Sequence, residues 1–436
     1  MITIYCEEIT ARVSYTFEFV FSTVLGVDHV LTADLKDFTD ITGAKFIYGN
    51  KWIEGALHFH AAGLLAEAEV RQQAPEVGEC RGYPALFKVS TESVLEYDLF
   101  SAIFFLLTRY EEYLPHETDN HGRYLASQSI SSQHGFLERP IVDLWVRLIG
   151  DVLTEEFPDI KFTEKKFRYI NTIDIDNAYA YTGKGAMRNV GGIVKSALQR
   201  DRDGISERLD VLSGKNKDPY DTYAYIKSLA VECKTEVKSF VLLGDYGAYD
   251  KNLPHSSTDQ ITMVKKMDEF SDVGIHPSYG SGDKVESVRT EIDRLEEILG
   301  RVVGSSRQHY LKMSFPESYR NLVACGIAED YSMGYSECLG FRAGTCTPFK
   351  FFDLYANEST NLTVYSFALM DRTLNDYLEL SPEEAIERVS FLITEVQKVR
   401  GTLISVWHNE SLSDEREWLG WLPVYEHLQR TVRTAG

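Results

Sequence analysis

Phe167-Arg168-Tyr169-Ile170-Asn171-Thr172-Ile173-Asp174-Ile175-Asp176 is the stretch that decides how this chain is read. From Phe167 to Ile173 it is apolar and β-prone, and it runs straight into two carboxylates one residue apart. A strand ending in Asp-x-Asp delivers both acids at its carboxyl end, where α/β folds carry their chemistry. Successive strand residues point to opposite faces, so Asp174 and Asp176 share a face if the extended geometry persists. Paired acids there suit one base and one metal ligand. Asp is also common at strand ends and helix N-caps, so the run alone leaves both readings open.

Downstream of this stretch the chain alternates strand and helix. Val237 to Leu243 is an apolar strand candidate, and Val273-His276, Leu403-Trp407 and the region around Phe341 are shorter ones. Asp283 to Leu299 repeats Val285, Val288, Ile292, Leu295 and Leu299 at three- and four-residue steps, which predicts a helix. A second helix runs from Ser381 to Arg400, opened by an N-cap, a proline at the first helical position and an acidic first turn, with Gly401 ending it. Such alternation implies a mostly parallel sheet, open or closed into a barrel. Gly183 to Asp218 breaks the rhythm and reads as a helical insertion, either a wall or lid of the site or a surface elaboration.

Upstream, residues 1–160 read as one mixed α/β unit. Ile2-Tyr5, Lys45-Tyr48 and Ala85-Lys88 are strand-like, while Ser101 to Tyr113 and Ile141 to Phe157 read as helices. A polar loop, Pro115 to Ser132, lies between the two helices; its dispersed histidines, His116 and His121, read as solvated side chains without chemistry. Pro158 and a charged run mark a boundary over Glu155 to Lys166, giving domains 1–160 and 167–436.

Composition narrows the partners. The 436 residues carry a net charge of −21, which repels nucleic acid and anionic membrane surfaces. The 25 Tyr and 23 Phe mostly serve cores, though flat aromatic faces also suit sugar rings. Six cysteines (Cys6, Cys80, Cys233, Cys325, Cys338, Cys346) without C-x-x-C spacing argue against a disulfide framework or a zinc–cysteine site. Neither a signal peptide nor a transmembrane segment is recognisable, so a cytoplasmic location is the expectation.

Four segments after the Asp pair carry polar groups at or near strand ends. They are Gly274-Ile275-His276-Pro277-Ser278-Tyr279-Gly280-Ser281, Ser306-Arg307-Gln308-His309-Tyr310, Gly340-Phe341-Arg342-Ala343-Gly344-Thr345 and Ser405-Val406-Trp407-His408-Asn409-Glu410-Ser411. A lone His beside an apolar run is more often a bonded core residue, and Arg is often a carboxylate clamp. Together the set supplies two Asp, three His and two Arg, an inventory suited to metal-assisted hydrolysis.

In order and context these motifs resemble the polysaccharide deacetylase superfamily, the NodB-like carbohydrate esterases, over roughly residues 167–436. The resemblance implies a distorted (β/α) barrel of about seven strands. It makes Asp174 the general base and Asp176 a metal ligand. His276 matches the first histidine of the family's His-(Ser/Thr)-x-x-His motif, while Gly280 stands where the second belongs; either a ligand comes from elsewhere, His309 being the candidate by chain position, or the site holds metal weakly or not at all. Arg307, with Arg342 as competitor, would orient the base, and His408 would be the general acid. The whole chain also resembles a bacterial group, frequent in Bacteroidetes, with an N-terminal domain of unknown function; Phe105-Leu106-Leu107-Thr108-Arg109-Tyr110-Glu111-Glu112-Tyr113 and His134-Gly135-Phe136-Leu137-Glu138-Arg139-Pro140 carry that likeness. The implied activity is removal of N-acetyl groups from a sugar or glycan precursor with a divalent metal: zinc first, then cobalt, nickel or manganese. The alternatives are an inactive carbohydrate-binding homologue, which Gly280 favours, and an amidase acting on a non-sugar C–N bond.

Overall fold

The computed structural model describes residues 1–90, 92–282 and 284–433. Four short parallel strands, β1 (Ile2–Cys6), β2 (His29–Thr32), β3 (Lys45–Tyr48) and β4 (Leu57–Phe59), form an N-terminal sheet in the order β2-β1-β3-β4. A hairpin, β5 (Val77–Cys80) and β6 (Tyr83–Leu86), follows. The second sheet has nine strands: β7 (Arg168–Ile175), β8 (Glu236–Val241), β9 (Asp272–Ile275), β10 (Ser305–Ser306), β11 (Glu329–Met333), β12 (Phe349–Asp353), β13 (Glu358–Ser366), β14 (Leu369–Met370) and β15 (Thr402–His408).

Their order is β12-β13-β11-β10-β9-β8-β7-β15-β14, and only β12 runs antiparallel to its neighbour. β7 is buried from Tyr169 to Ile175, as a parallel strand covered on both faces must be. It lies between β15 and β8, with His408 in register with Asp174.

Where a distorted (β/α) barrel of about seven strands was expected, the sheet is a curled, open half-barrel of nine. The two edges are occupied differently. β14 is a two-residue strand. β12 meets the N-terminal helices: Tyr15 donates from its hydroxyl to the Lys350 carbonyl at 2.7 Å, and Tyr15 and Phe104 set their rings 5.0 and 5.2 Å from Phe352. One hydrophobic core runs without interruption from Ile2 through both sheets to Val432.

Several elements differ from expectation for identifiable reasons. No strand forms around Phe341; that segment bends between Gly340 (φ +122°) and Gly344 (φ +68°) and bonds its Phe341 N–H to the Leu137 carbonyl. The helix expected over Ser101 to Tyr113 is Leu99–Leu107 followed by a 3₁₀ turn, broken where Arg109 adopts φ +52°. Helix Val285–Leu299 matches its periodicity, while Asp283, the expected start, lies outside the described residues. Helix Pro382–Val399 has the expected cap, a full capping box between Ser381 and Glu384. It ends on left-handed Arg400 rather than on Gly401; a Cβ on Gly401 would sit 2.1 Å from Cys346 Sγ. The insertion is helical, Gly185–Leu198 and Arg202–Leu212. All six cysteines are free. Among the described residues no helix is long and apolar enough to cross a membrane.

Candidate metal centre

Because the strands of the half-barrel are parallel, their carboxyl ends gather at one rim. Asp174 is the penultimate residue of β7, and Asp176 follows directly after its end. His276 comes directly after β9, Arg307 and His309 after β10, and His408 closes β15.

Asp176 sits at the centre. Its Oδ1 lies 3.2 Å from His276 Nε2 and its Oδ2 lies 3.3 Å from His309 Nε2. One ligand atom from each of Asp176, His276 and His309 falls within 4.8 Å of the others. Each imidazole is oriented from behind. His276 Nδ1 donates to the Arg307 carbonyl at 2.5 Å, which turns the lone pair of Nε2 toward the cluster. His309 Nδ1 contacts Asp250 Oδ1 at 2.9 Å, and that oxygen also accepts the Tyr279 N–H at 2.9 Å. His276 Nε2 and Asp176 Oδ1 are buried and have no hydrogen-bond partner. Two imidazole nitrogens and a carboxylate converging here, one nitrogen and one oxygen of them unsatisfied, fit a divalent cation of the zinc type.

Electrostatics agree. Burial works against the charge on Asp176, but the surrounding imidazoles, His309 foremost, hold its carboxyl well below the usual range. Burial likewise disfavours a charged His309, yet Asp176 and Asp250 outweigh it and raise the ring to about 9. A field that favours a proton at this spot also favours a metal cation replacing it.

Asp174 flanks the cluster, its Oδ2 4.0 Å from His276 Nε2. Its Oδ1 accepts from Arg307 Nη1 at 2.8 Å. Arg307 is fully buried between the rings of Phe240 and Phe367 and also donates to Thr172 Oγ1 and the Tyr331 carbonyl. On the other flank, His408 Nε2 lies 4.0 Å from Asp176 Oδ2. Behind it Nδ1 contacts the fully buried Asp371 at 2.8 Å, and the His408 N–H donates to the other Asp371 oxygen at 2.7 Å. Burial pulls the ring down, but the Asp371 charge more than offsets it and lifts His408 to about 10.

The structure therefore brings Asp174, Asp176, His276, Arg307, His309 and His408 together, and it leaves Arg342 out. Arg342 is held by Glu112, with bonds of 2.5 and 2.9 Å, in a buried cluster that also contains Arg109. It faces the N-terminal segment because its loop bends there instead of forming a strand. Gly280 is exposed, with open space where a Cβ would stand, and it is His309 that joins Asp176 and His276 in the cluster.

Sequence reading missed Asp250, Asp371 and Arg123. The first two follow strands β8 and β14 as the other site residues follow theirs, a signal within reach for Asp250 in Gly244-Asp245-Tyr246-Gly247-Ala248-Tyr249-Asp250. Arg123 comes from the polar loop of the N-terminal segment and lines the same cleft, a space of about 390 Å³.

A family model described as a family of unknown function (DUF7033) matches residues 2–158. No curated protein matches the chain. Among solved structures, a candidate polysaccharide deacetylase from Mycobacterium smegmatis aligns with TM-score 0.40 and 12% identity, over 63% of this chain and 86% of that one. A mutant of a CE4 family pseudoenzyme with restored activity aligns with TM-score 0.30 and 10% identity, over 62% of this chain and 63% of that one. IcaB from Ammonifex degensii aligns with TM-score 0.22 and 15% identity, over 39% of this chain and 85% of that one. Likenesses this distant carry no chemistry from one chain to another.

Proposed function

We propose that this chain is a metal-dependent hydrolase that removes an N-acetyl group from a sugar or glycan precursor, with its site in the segment 167–436. The observation that carries the reading is the Asp176–His276–His309 cluster, whose donor atoms converge, with His276 Nε2 and Asp176 Oδ1 left unpartnered, between an arginine-held carboxylate and a carboxylate-held imidazole. The sugar rests on the order of the sequence motifs and on the tyrosines that border the cleft.

Asp176, His276 and His309 would hold a divalent cation, zinc for preference. When bound, the cation polarises an acyl carbonyl and acidifies water. Asp174 takes a proton from the attacking water as its oxygen bonds to the acyl carbon. Arg307, donating to its Oδ1 at 2.8 Å, keeps Asp174 aimed. His408 gives its Nε2 proton to the leaving amine as the C–N bond breaks, producing acetate and a free amino sugar. Asp371 keeps His408 charged and its ring fixed.

Metal content and acetate release from a panel of N-acetylated sugars, against linear and cyclic amides, test this. Near-stoichiometric metal, lost in His276→Ala and His309→Ala, is expected. Asp174→Asn should lower turnover by about 10²–10⁴-fold while metal stays bound. Full activity in Asp174→Asn, or no metal after soaking in excess zinc, would sink the reading.

A further inference from the structure

The tyrosines beside the cluster do not stand alone. Tyr249, Tyr279 and Tyr310 come from the loops after β8, β9 and β10, and their ring centroids lie 4.2 to 5.5 Å apart. Tyr310 is also 4.7 Å from the His309 ring, so the group begins one ring's width from the cation ligands. Tyr249 and Tyr310 are 43% and 37% exposed, and both line the cleft. A fourth ring comes from the N-terminal segment: His121 stands 5.1 to 5.7 Å from all three tyrosines, with Nδ1 3.2 Å from the Tyr279 hydroxyl.

The loop that brings His121 is built to hold its place. Asp119 Oδ1 accepts from the N–H groups of His121 and Arg123 at 2.8 and 2.9 Å, and Gly122 supplies the left-handed turn at φ +77°. Arg123, itself 9% exposed, pairs with Asp119 at 2.7 Å and donates to the Tyr310 carbonyl at 3.0 Å and the Tyr377 hydroxyl at 3.3 Å. Tyr310 needs that support, because it sits at φ +60°, a conformation that costs a non-glycine residue energy.

Partly exposed rings gathered at a cleft, beside a hydrolytic cluster and far from any core requirement, are a surface for a flat, partly apolar ligand. Saccharide rings present such a face through their axial C–H groups. We propose that the N-terminal segment completes the substrate site: His121, with Tyr249 and Tyr310, forms a platform for a second sugar ring adjoining the one that carries the acyl group, and Arg123 is the positioning residue that holds Tyr310 in place. The proposal rests on the hydrolase reading for where the first ring lies. It makes the substrate at least a disaccharide unit, and it gives the segment matched by the family of unknown function a role in specificity.

The experiment reads binding before turnover. Full-length, zinc-loaded protein is mixed with N-acetylglucosamine, N-acetylgalactosamine and their β1,4- and β1,6-linked dimers, and saturation transfer from aromatic protons to each sugar ring is followed by NMR. Transfer to both rings of a dimer is expected, with binding about two- to tenfold weaker and second-ring transfer lost in Tyr249→Ala and His121→Ala. Tyr249→Phe, which keeps the ring, should retain the transfer. Metal content of each variant reports that its fold is intact. No transfer to any saccharide, or second-ring transfer unchanged in both alanine variants, overturns the platform. Intact binding with no acetate release from any dimer overturns the hydrolase reading and leaves the platform standing.

Discussion

Replacing Asp250 by Asn tests whether the cluster is a metal site with a built support. Asp250 touches no ligand position, yet its Oδ1 faces His309 Nδ1 at 2.9 Å and accepts the Tyr279 N–H. The carboxylate fixes the tautomer of His309 and makes Nε2 a stronger donor. Asparagine keeps the size and one oxygen but loses the charge; turned the other way, its amide would present a donor to Nδ1 and force the wrong tautomer. Loss of such an outer partner weakens metal binding by about 10–100-fold, or roughly 1.4–2.8 kcal/mol. His276 provides an internal contrast, since its support is the Arg307 carbonyl, which no side-chain substitution removes. Competition titration of zinc against a chelating dye, at pH 7 and fixed protein concentration, measures the change directly. His309→Ala serves as the lower bound. An Asp250→Asn protein with wild-type affinity, alongside a His309→Ala protein that has lost it, would refute the idea that Asp250 acts through His309. Wild-type affinity in both would remove His309 from the ligand set.

Two further perturbations reach different parts of the molecule. His408 must be protonated to act as an acid, and Asp371 keeps it so up to about pH 10, so Asp371→Asn should bring the alkaline limb of the pH–rate profile down toward the ordinary histidine value of about 6.5; an unmoved limb would refute the coupling. Glu112→Gln removes the carboxylate shared by buried Arg342 and Arg109, leaving Arg109 only the more distant Glu111 at 3.5 Å, and should cost about 3–5 kcal/mol in urea unfolding at pH 7. Burial opposes the Glu112 charge but the two arginines, Arg342 first, hold its carboxyl below the ordinary 4.5, so its contribution is present above that pH and lost as pH falls through the lower folded value; equal stability of Gln and Glu forms at pH 7 would count against the cluster.

How much of this could be read from the chain depends on sequence distance. β7 and β15 were legible because a parallel strand buried on both faces needs an unbroken apolar run, and each run ends in its polar residue. The same logic reached His276, Arg307 and His309, each lying one to three residues past a strand end. It failed for Asp371, because β14 has only two residues and leaves no pattern to mark its end. It failed for Arg342, whose partner Glu112 lies 230 residues earlier, and for His121, which meets Tyr279 across 158 residues. The antiparallel pair β12 and β13 escaped notice because β12 is stabilised by Tyr15 and Phe104 from the N-terminal helices, a surface that its own residues do not announce.

That His309, and not position 280, stands beside Asp176 and His276 follows from how β9 and β10 are joined. The two strands are parallel neighbours, with Ser306 opposite Ile275, so the loops leaving them start side by side. The Arg307 N–H donates to the Ile275 carbonyl and the His309 N–H to the Pro277 carbonyl, which ties the two loops together past the strand ends. Along that seam the Arg307 carbonyl reaches back to orient His276, while the Arg307 side chain reaches across to Asp174. Immediately after His309 the chain must turn away, and it does so through two left-handed residues, Tyr310 and Leu311, at φ +60° and +53°. Neither is a glycine, so the turn is favourable only while something outside the loop holds it. Burial of Leu311 and the ring contacts of Tyr310 contribute, and Arg123 adds a hydrogen bond to the Tyr310 carbonyl. Two consecutive residues, His309 and Tyr310, thus join the imidazole facing Asp176, the ring bordering the cleft and, through the Tyr310 carbonyl, the loop of the N-terminal segment.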